Sequence, residues 1–180
     1  ITESIAGVTA NPLDHLHERL DKHESQVMPH VSENELPTLL NAIATIPSDI
    51  TRLGVQLLSH LFLRPNEVLD GKWCEIDLDN RLWEIPKERM KKRRPHIVPL
   101  SNQAVAMLTE LKAITGNDEM LFPTRSINPT DRHARFRQAL KRKGYDGKQT
   151  LHGFRHIAST KFNNFTDNDG KKFDERVIEF

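Results

Sequence analysis

The sequence predicts a mainly helical α+β domain with a small three-stranded antiparallel sheet. Apolar residues recur at helical spacing in several segments, three of which follow a capping residue (Ser32, Ser101 or Thr150). Only residues 73–100 combine aromatic and β-branched runs with turn chemistry, so the strands gather there. The hydrophobic fraction of 37% beside 28% charged residues is that of a globular chain with a core, and 180 residues suffice for one domain of ordinary size.

Taken in order, residues 1–31 are interrupted by charge, His, Pro12 and Pro29 and read as a linker with a short helix. A domain is expected to start at Ser32, where Ser32 and Glu35 have capping-box spacing and Leu36, Leu39, Leu40 and Ile43 form a helical stripe. From Thr51 the run RLGVQLLSHLFL is apolar enough for a buried helix, with its end expected at Pro65. Residues 73–78 and 82–85 flank the Asp79-Asn80 turn as a hairpin, and residues 97–100 add a third strand. Ser101 caps a helix with Ala104, Val105, Leu108 and Leu111 on its apolar side, and Phe136, Ala139 and Leu140 mark another between Asp131 and Lys143. After the turn KGYDGK, Thr150 caps LHGFRHIASTKF. ERVIEF reads as the opening turn of a helix, so the natural domain is expected to continue beyond Phe180, with apolar surface near Ile178 and Phe180 exposed or covered by another copy.

Composition narrows the function. No apolar run reaches the roughly 18–20 residues of a membrane span, and the first residues lack a basic start followed by an apolar stretch. The single cysteine, Cys74, excludes an internal disulfide framework, and a reducing, cytoplasmic setting fits. The net charge of +1 conceals an asymmetry: residues 1–50 hold eight acids and two bases, a net of −6, and residues 51–180 hold a net of +7. The larger segment is therefore the one suited to a polyanion.

Three groups of residues can carry chemistry. Residues 87–96 hold six bases (Lys87, Arg89, Lys91, Lys92, Arg93 and Arg94) with one acid, and suit either a solvated hairpin tip or phosphates. A second basic stretch from Arg132 through Arg135 to Lys148 suits a DNA backbone or a solvated helix face. His152 and Arg155 share a face at the start of a helix, where free N–H groups and the dipole favour a phosphate; a structural pair is the plainer reading. Arg64, taken alone, is a boundary arginine paired to Glu67. His152 and His156 with His96 or His133 offer metal-ligand spacing, but without an acidic or Cys partner.

In order and spacing, LFLRPNEV at 61–68, the hairpin WCEID…LWEIP, MKKRRPHIVPLS at 90–101 and LHGFRH at 151–156 resemble the tyrosine recombinase family, specifically the phage and prophage integrases. The likeness covers residues 32–180 as a catalytic domain. Residues 1–31, with ANPL, are similar to the tail end of that family's core DNA-binding domain and its linker. It implies that Arg64 and Arg155 hydrogen-bond the non-bridging oxygens of a scissile phosphate, and that His152 donates to the same phosphate or assists proton transfer. The resemblance further implies that Lys91 protonates the departing 5′ oxygen, with Lys92 its competitor, and that Glu67 positions the region around Arg64. Lys92, Arg93, Arg94, His96, Arg132 and Arg135 are expected on the DNA. The partner implied is double-stranded DNA at attachment sites, with self-association on it in the intact protein; neither a cofactor or metal nor a small-molecule substrate is expected, the arginines standing in for metal ions as charge stabilisers.

The family's second His or Trp and its tyrosine nucleophile lie beyond the His-x-x-Arg box, and no residue here matches them. Tyr145, the only tyrosine, precedes His152 in a Gly-flanked turn. The resemblance thus implies site-specific recombination through a 3′-phosphotyrosine for the intact protein, whereas this chain is expected not to cleave DNA alone. The alternative is a non-catalytic DNA-binding module contacting backbone phosphates.

Overall fold

The computed structural model describes residues 28–124, 133–166 and 170–172. The expectations for residues 1–27, Arg132, Ile178 and Phe180 fall outside them. Helices α1 (Leu36–Ala44), α2 (Asp49–Leu61), α3 (Pro65–Leu69), α4 (Asn102–Thr115), α5 (Ala134–Leu140) and α6 (Gly153–Asn164) accompany one antiparallel sheet of strands β1 (Ile76–Asp77), β2 (Leu82–Ile85) and β3 (His96–Pro99), in that order. This is the helical fold with a small three-stranded sheet that the sequence predicts. No helix among the described residues is long and apolar enough to cross a membrane.

Helix α2 is the hub, because it packs against α1, α3, α4, α5 and α6. Its sequence allows this through a wide apolar face on which Leu53, Val55, Leu57 and Leu58 are all fully buried, with Asp49, Arg52, Gln56, Ser59 and His60 on the opposite side. The Ser48 hydroxyl caps it by accepting from the Thr51 N–H at 3.4 Å. Helix α1 is entered through a short 3-10 turn, where the Glu35 carboxylate accepts from the Ser32 N–H at 3.1 Å and hydroxyl at 2.7 Å. Of its expected stripe, Leu39 and Ile43 are buried but Leu40 faces solvent, since one side of α1 suffices to cover α2.

Two of the boundaries that differ from the sequence reading matter to the site. Helix α2 stops at Leu61, not at Pro65, because Phe62 adopts the left-handed conformation with φ 54°. Pro65 then opens α3 in the first-turn position where its missing N–H costs nothing. The first strand is also shorter than the 73–78 run, since residues 73–75 coil into a 3-10 turn. That turn sends the Trp73 indole N–H to the Thr115 carbonyl at 2.9 Å and buries Glu75.

The sheet pairs Ile76 with Trp83, then Trp83 with Val98 and Ile85 with His96. Alternation along it buries Trp83, Ile85 and Val98 and leaves Leu82 and Ile97 outward. The third strand begins at His96, one residue before the expected start, and the basic loop joins β2 to β3 as expected. Ser101 caps α4 by accepting from the Ala104 N–H at 3.2 Å, and Ala104, Leu108 and Leu111 are buried against α2.

Candidate active site

The reversal at the end of α2 builds the first part of the site. After Phe62 the chain runs extended through Arg64 (φ −66°, ψ 146°) into α3, leaving the first N–H groups of that helix in need of partners. Glu67 lies three residues on and accepts twice from Arg64, ahead of the helix, while the Arg64 carbonyl accepts from the Glu67 and Val68 N–H groups. Its Oε2 accepts from the Arg64 backbone N–H at 2.8 Å, and its Oε1 accepts from Arg64 Nη1 at 2.7 Å. The Glu67 side chain is only 4% exposed, so the arginine is held by a carboxylate that cannot swing to water. The expected Arg64–Glu67 boundary pair is thus present.

The second part comes from α6. Thr150 Oγ1 accepts from the Gly153 N–H at 2.9 Å, which fixes where the helix begins. His152 stands just before its first residue, and Arg155 sits in its first turn. Arg155 Nη1 donates to the Phe62 carbonyl at 3.1 Å, a group freed for that contact by the left-handed turn. The second arginine therefore grips the chain two residues before the first. A T-shaped contact between Phe62 and Phe162, 6.1 Å between centroids, packs α6 against the same turn.

Electrostatics report the same proximity. Burial pushes the His152 imidazole below its ordinary pKa, and the charges of Arg155, Arg64 and His156 push it further, against an upward pull from Glu67. Burial likewise lowers Arg155, with Arg64 adding to it and Glu67 opposing. Arg64, His152 and Arg155 thus lie close enough to feel one another's charge, with the buried carboxylate of Glu67 paired to Arg64 among them. Such a cluster, carrying guanidinium forks and a neutral imidazole, suits a tetrahedral anion.

A segment ahead of α1 crosses the start of α6. The Pro29 carbonyl accepts from the Thr150 N–H at 3.0 Å and hydroxyl at 3.2 Å, and the Val31 N–H donates to Gln149 Oε1 at 2.9 Å. Gln149 is 4% exposed and Val31 is part of the core. His30 meets His156 edge-on at 4.6 Å between ring centroids. Sequence reasoning overlooked Gln149, since no local pattern marks a glutamine whose partner is 118 positions away.

The remaining candidates are more scattered. Lys91, Lys92, Arg93 and Arg94 are exposed on the β2–β3 loop, and His96 is half-buried where β3 begins. Arg135 turns inward: its Nη1 donates to the Pro123 carbonyl at 3.1 Å and its guanidinium lies 4.8 Å from the Phe136 ring centroid, where burial lowers its pKa. From the same basic stretch Arg137, Lys141, Arg142 and Lys148 face solvent. Tyr145 is half-buried against the core. His133 pairs with Asp70 at 3.2 Å, and no group of three or more His, Cys, Asp or Glu among the described residues is placed to hold a metal ion.

Known proteins share this sequence and fold. Residues 29–168 match the phage integrase family. The chain is 34% identical over 159 residues to prophage integrase IntA of Escherichia coli (strain K12), an alignment covering 87% of this chain and 38% of that protein. It is 32% identical over 167 residues to the integrase of Enterobacteria phage P4, covering 84% and 38%. The chain thus spans under two-fifths of the length of these curated relatives. Its fold is that of XerA recombinase (TM-score 0.65, 20% identity, 88% of this chain and 56% of that one). The Tn1549 transposon integrase in complex with transposon right end DNA also shares it (TM-score 0.66, 13% identity, 96% and 63%). So does the lambda integrase tetramer bound to a Holliday junction (TM-score 0.58, 17% identity, 84% and 48%). Sequence and fold agree, and the chain belongs to the phage integrase family, with the fold of a tyrosine recombinase catalytic domain.

Proposed function

We propose that this chain is the phosphodiester-activating part of a site-specific DNA recombinase that integrates DNA by cutting and rejoining strands. The observation that supports it is the meeting of Arg64, His152 and Arg155, from two helix starts 88 positions apart, over buried Glu67. In this reading the two guanidinium groups bind the non-bridging oxygens of the scissile phosphate and stabilise the charge that builds as phosphorus becomes pentacoordinate. Neutral His152 donates a hydrogen bond to the same phosphate. A tyrosine phenolate forms the new bond to phosphorus, the bond to the 5′ oxygen breaks, and Lys91 gives that oxygen its proton, with Lys92 as the competing donor.

Tyr145 does not supply the phenolate in this reading, because it lies in the turn before His152 and packs against the core. The chain as it stands is proposed to bind DNA without cleaving it. Lys92, Arg93 and Arg94 on the exposed loop contact backbone phosphates beside the site, which anchors the duplex without reading its sequence. The whole protein is proposed to act on double-stranded DNA attachment sites as a multimer, as the lambda integrase tetramer on its junction is one.

The test uses a chain extended through a downstream tyrosine and a duplex carrying its attachment site. The expected product is a covalent protein–DNA adduct that Arg155→Ala abolishes while salt-sensitive binding persists. An extended chain that binds but forms no adduct would instead identify a non-catalytic DNA-binding module.

A further inference from the structure

We propose that Arg89 is a positioning residue that fastens the loop carrying Lys91 to the turn carrying Arg64. The inference rests on the reading of Lys91 as the proton donor. Arg89 belongs to the basic run 87–96, yet its side chain is only 16% exposed and points into the protein. Its Nη1 pairs with the carboxylate of Glu75, a side chain 5% exposed. Its Nη2 donates to the Glu67 carbonyl at 2.7 Å and to the Asn66 carbonyl at 3.2 Å. Glu67 is therefore held at both ends, by Arg64 on its carboxylate and by Arg89 on its carbonyl.

Glu75 extends the network into the sheet, where its Oε2 also accepts from the Trp83 indole N–H at 3.1 Å. Arg89 thus ties β2, the turn before β1 and α3 together at one guanidinium. A lysine could not do this, since its single ammonium lacks the planar fork that serves separate acceptors. Past this anchor Met90 still packs against the core, and residues 91–95 are exposed. Lys91 follows by two residues, so its backbone can stray no more than roughly 7 Å from that of Arg89. Release of Arg89 lengthens that tether while leaving Lys91 itself intact.

Glu75 also has a buried oxygen, Oε1, with no hydrogen-bond partner among the described residues. Loss of Arg89 alone would strand that carboxylate and threaten folding. The informative variant is therefore the pair Glu75→Gln with Arg89→Met, which removes both charges together. Arg89→Lys is the companion, since it keeps the charge and loses the fork, and thermal unfolding confirms that both are folded.

Cleavage is measured in the extended chain on two duplexes, one with an ordinary scissile phosphate and one whose bridging 5′ oxygen is replaced by sulfur. Sulfur departs without a proton, so a defect in the proton donor disappears on it. Both variants are expected to slow cleavage of the ordinary duplex, the double variant by roughly 100-fold, the low end of what a general acid contributes. On the sulfur duplex each is expected within a few-fold of the unsubstituted chain, as is Lys91→Ala. Equal losses on both duplexes, or no loss on either, would overturn the inference while sulfur rescue of Lys91→Ala leaves the reading of Lys91 standing. If sulfur fails to rescue Lys91→Ala itself, that reading falls and takes the inference with it.

Discussion

The carbonyl oxygen of Pro29 lies where a side chain on Gly153 would be. A Cβ built there would stand 2.7 Å from that oxygen, 2.8 Å from Gln149 Nε2 and 3.0 Å from His30 Cβ. The oxygen cannot step aside cheaply, because it accepts from both the N–H and the hydroxyl of Thr150. Gly153 is thus the surface on which the segment ahead of α1 rests at the head of the helix that bears Arg155. Gly153→Ala is expected to destabilise the chain by about 1–3 kcal/mol, the usual cost of overpacking. Urea unfolding checks the size, and amide exchange at Val31 checks the cause, since its bond to Gln149 should open first. An unchanged midpoint with unchanged protection at Val31 would mean that the crossing segment yields without cost.

His152 gives a pH dependence of definite sign. Its folded pKa lies below the ordinary value, through burial first and then the charges of Arg155, Arg64 and His156. In the window between the two values the unfolded chain binds the proton and the folded chain does not, so stability rises with pH there. His152 therefore costs nothing above the ordinary value near 6.5 and opposes folding increasingly as pH drops below it. The slope of unfolding free energy between pH 7.5 and 5.5 is expected to shrink in His152→Gln. Bound duplex should raise the imidazole pKa, because phosphate oxygens neutralise the two arginines that depress it. A proton NMR titration of the ring with and without duplex reads this directly, and a downward movement on binding would contradict it.

What was legible in the sequence was what is local. The hydroxyls of Ser101 and Thr150 each accept from the N–H three residues on, and Ser32 meets Glu35 at the same spacing through the Glu35 carboxylate. Arg64 and the His152–Arg155 pair read locally as a boundary arginine and a structural pair, and only the order and spacing of the motifs along the chain singled them out. What was hidden depends on distant partners. Arg89 looks like any of its five basic neighbours until its acceptors, 22 and 23 positions earlier in the chain, are in place. Those two acceptors are backbone carbonyls, which no side-chain pattern can announce, and the third, the Glu75 carboxylate, is 14 positions away. The early end of α2 was hidden because a phenylalanine with φ 54° breaks the rule that left-handed positions go to glycine, and only the grip of Arg155 on its carbonyl gives it a purpose. Arg135 shows the reverse error, since its charge promised the surface and its packing takes the guanidinium to the Pro123 carbonyl.

Arg64 has two roles that substitution can separate. Its removal as Arg64→Ala leaves the carboxylate of Glu67 nearly buried without its cation. A cost of about 2 kcal/mol is expected, below that of a fully buried pair because Arg64 itself is partly exposed. Arg64→Lys keeps the charge and loses the fork, so it should recover most of that stability. DNA binding separates the roles differently. If Arg64 meets one phosphate, Arg64→Ala should flatten the dependence of log affinity on log salt by about 1, and Arg64→Lys should leave the slope near its original value. Chemical unfolding and fluorescence anisotropy at several salt concentrations together measure both.

Gly54 tests whether the hub helix is as closely packed as its burial implies. A Cβ there would stand 2.3 Å from Phe136 Cε1 and 3.1 Å from Phe122 Cε1, two rings that meet at 87° with centroids 5.6 Å apart. In an open helix, alanine in place of glycine would stabilise by about 1 kcal/mol. Here it meets ring atoms that α5 and the chain at 122 hold from both sides, so Gly54→Ala is expected to destabilise by about 1–3 kcal/mol. The cause is separable from general intolerance at this position. Phe136→Leu alone opens space and should itself destabilise, yet it gives the new methyl somewhere to go. The double variant should then be more stable than the sum of the two single losses by more than about 1 kcal/mol, the signature of two side chains competing for one volume. Additive losses would mean that Gly54 is required by its backbone and not by the ring of Phe136.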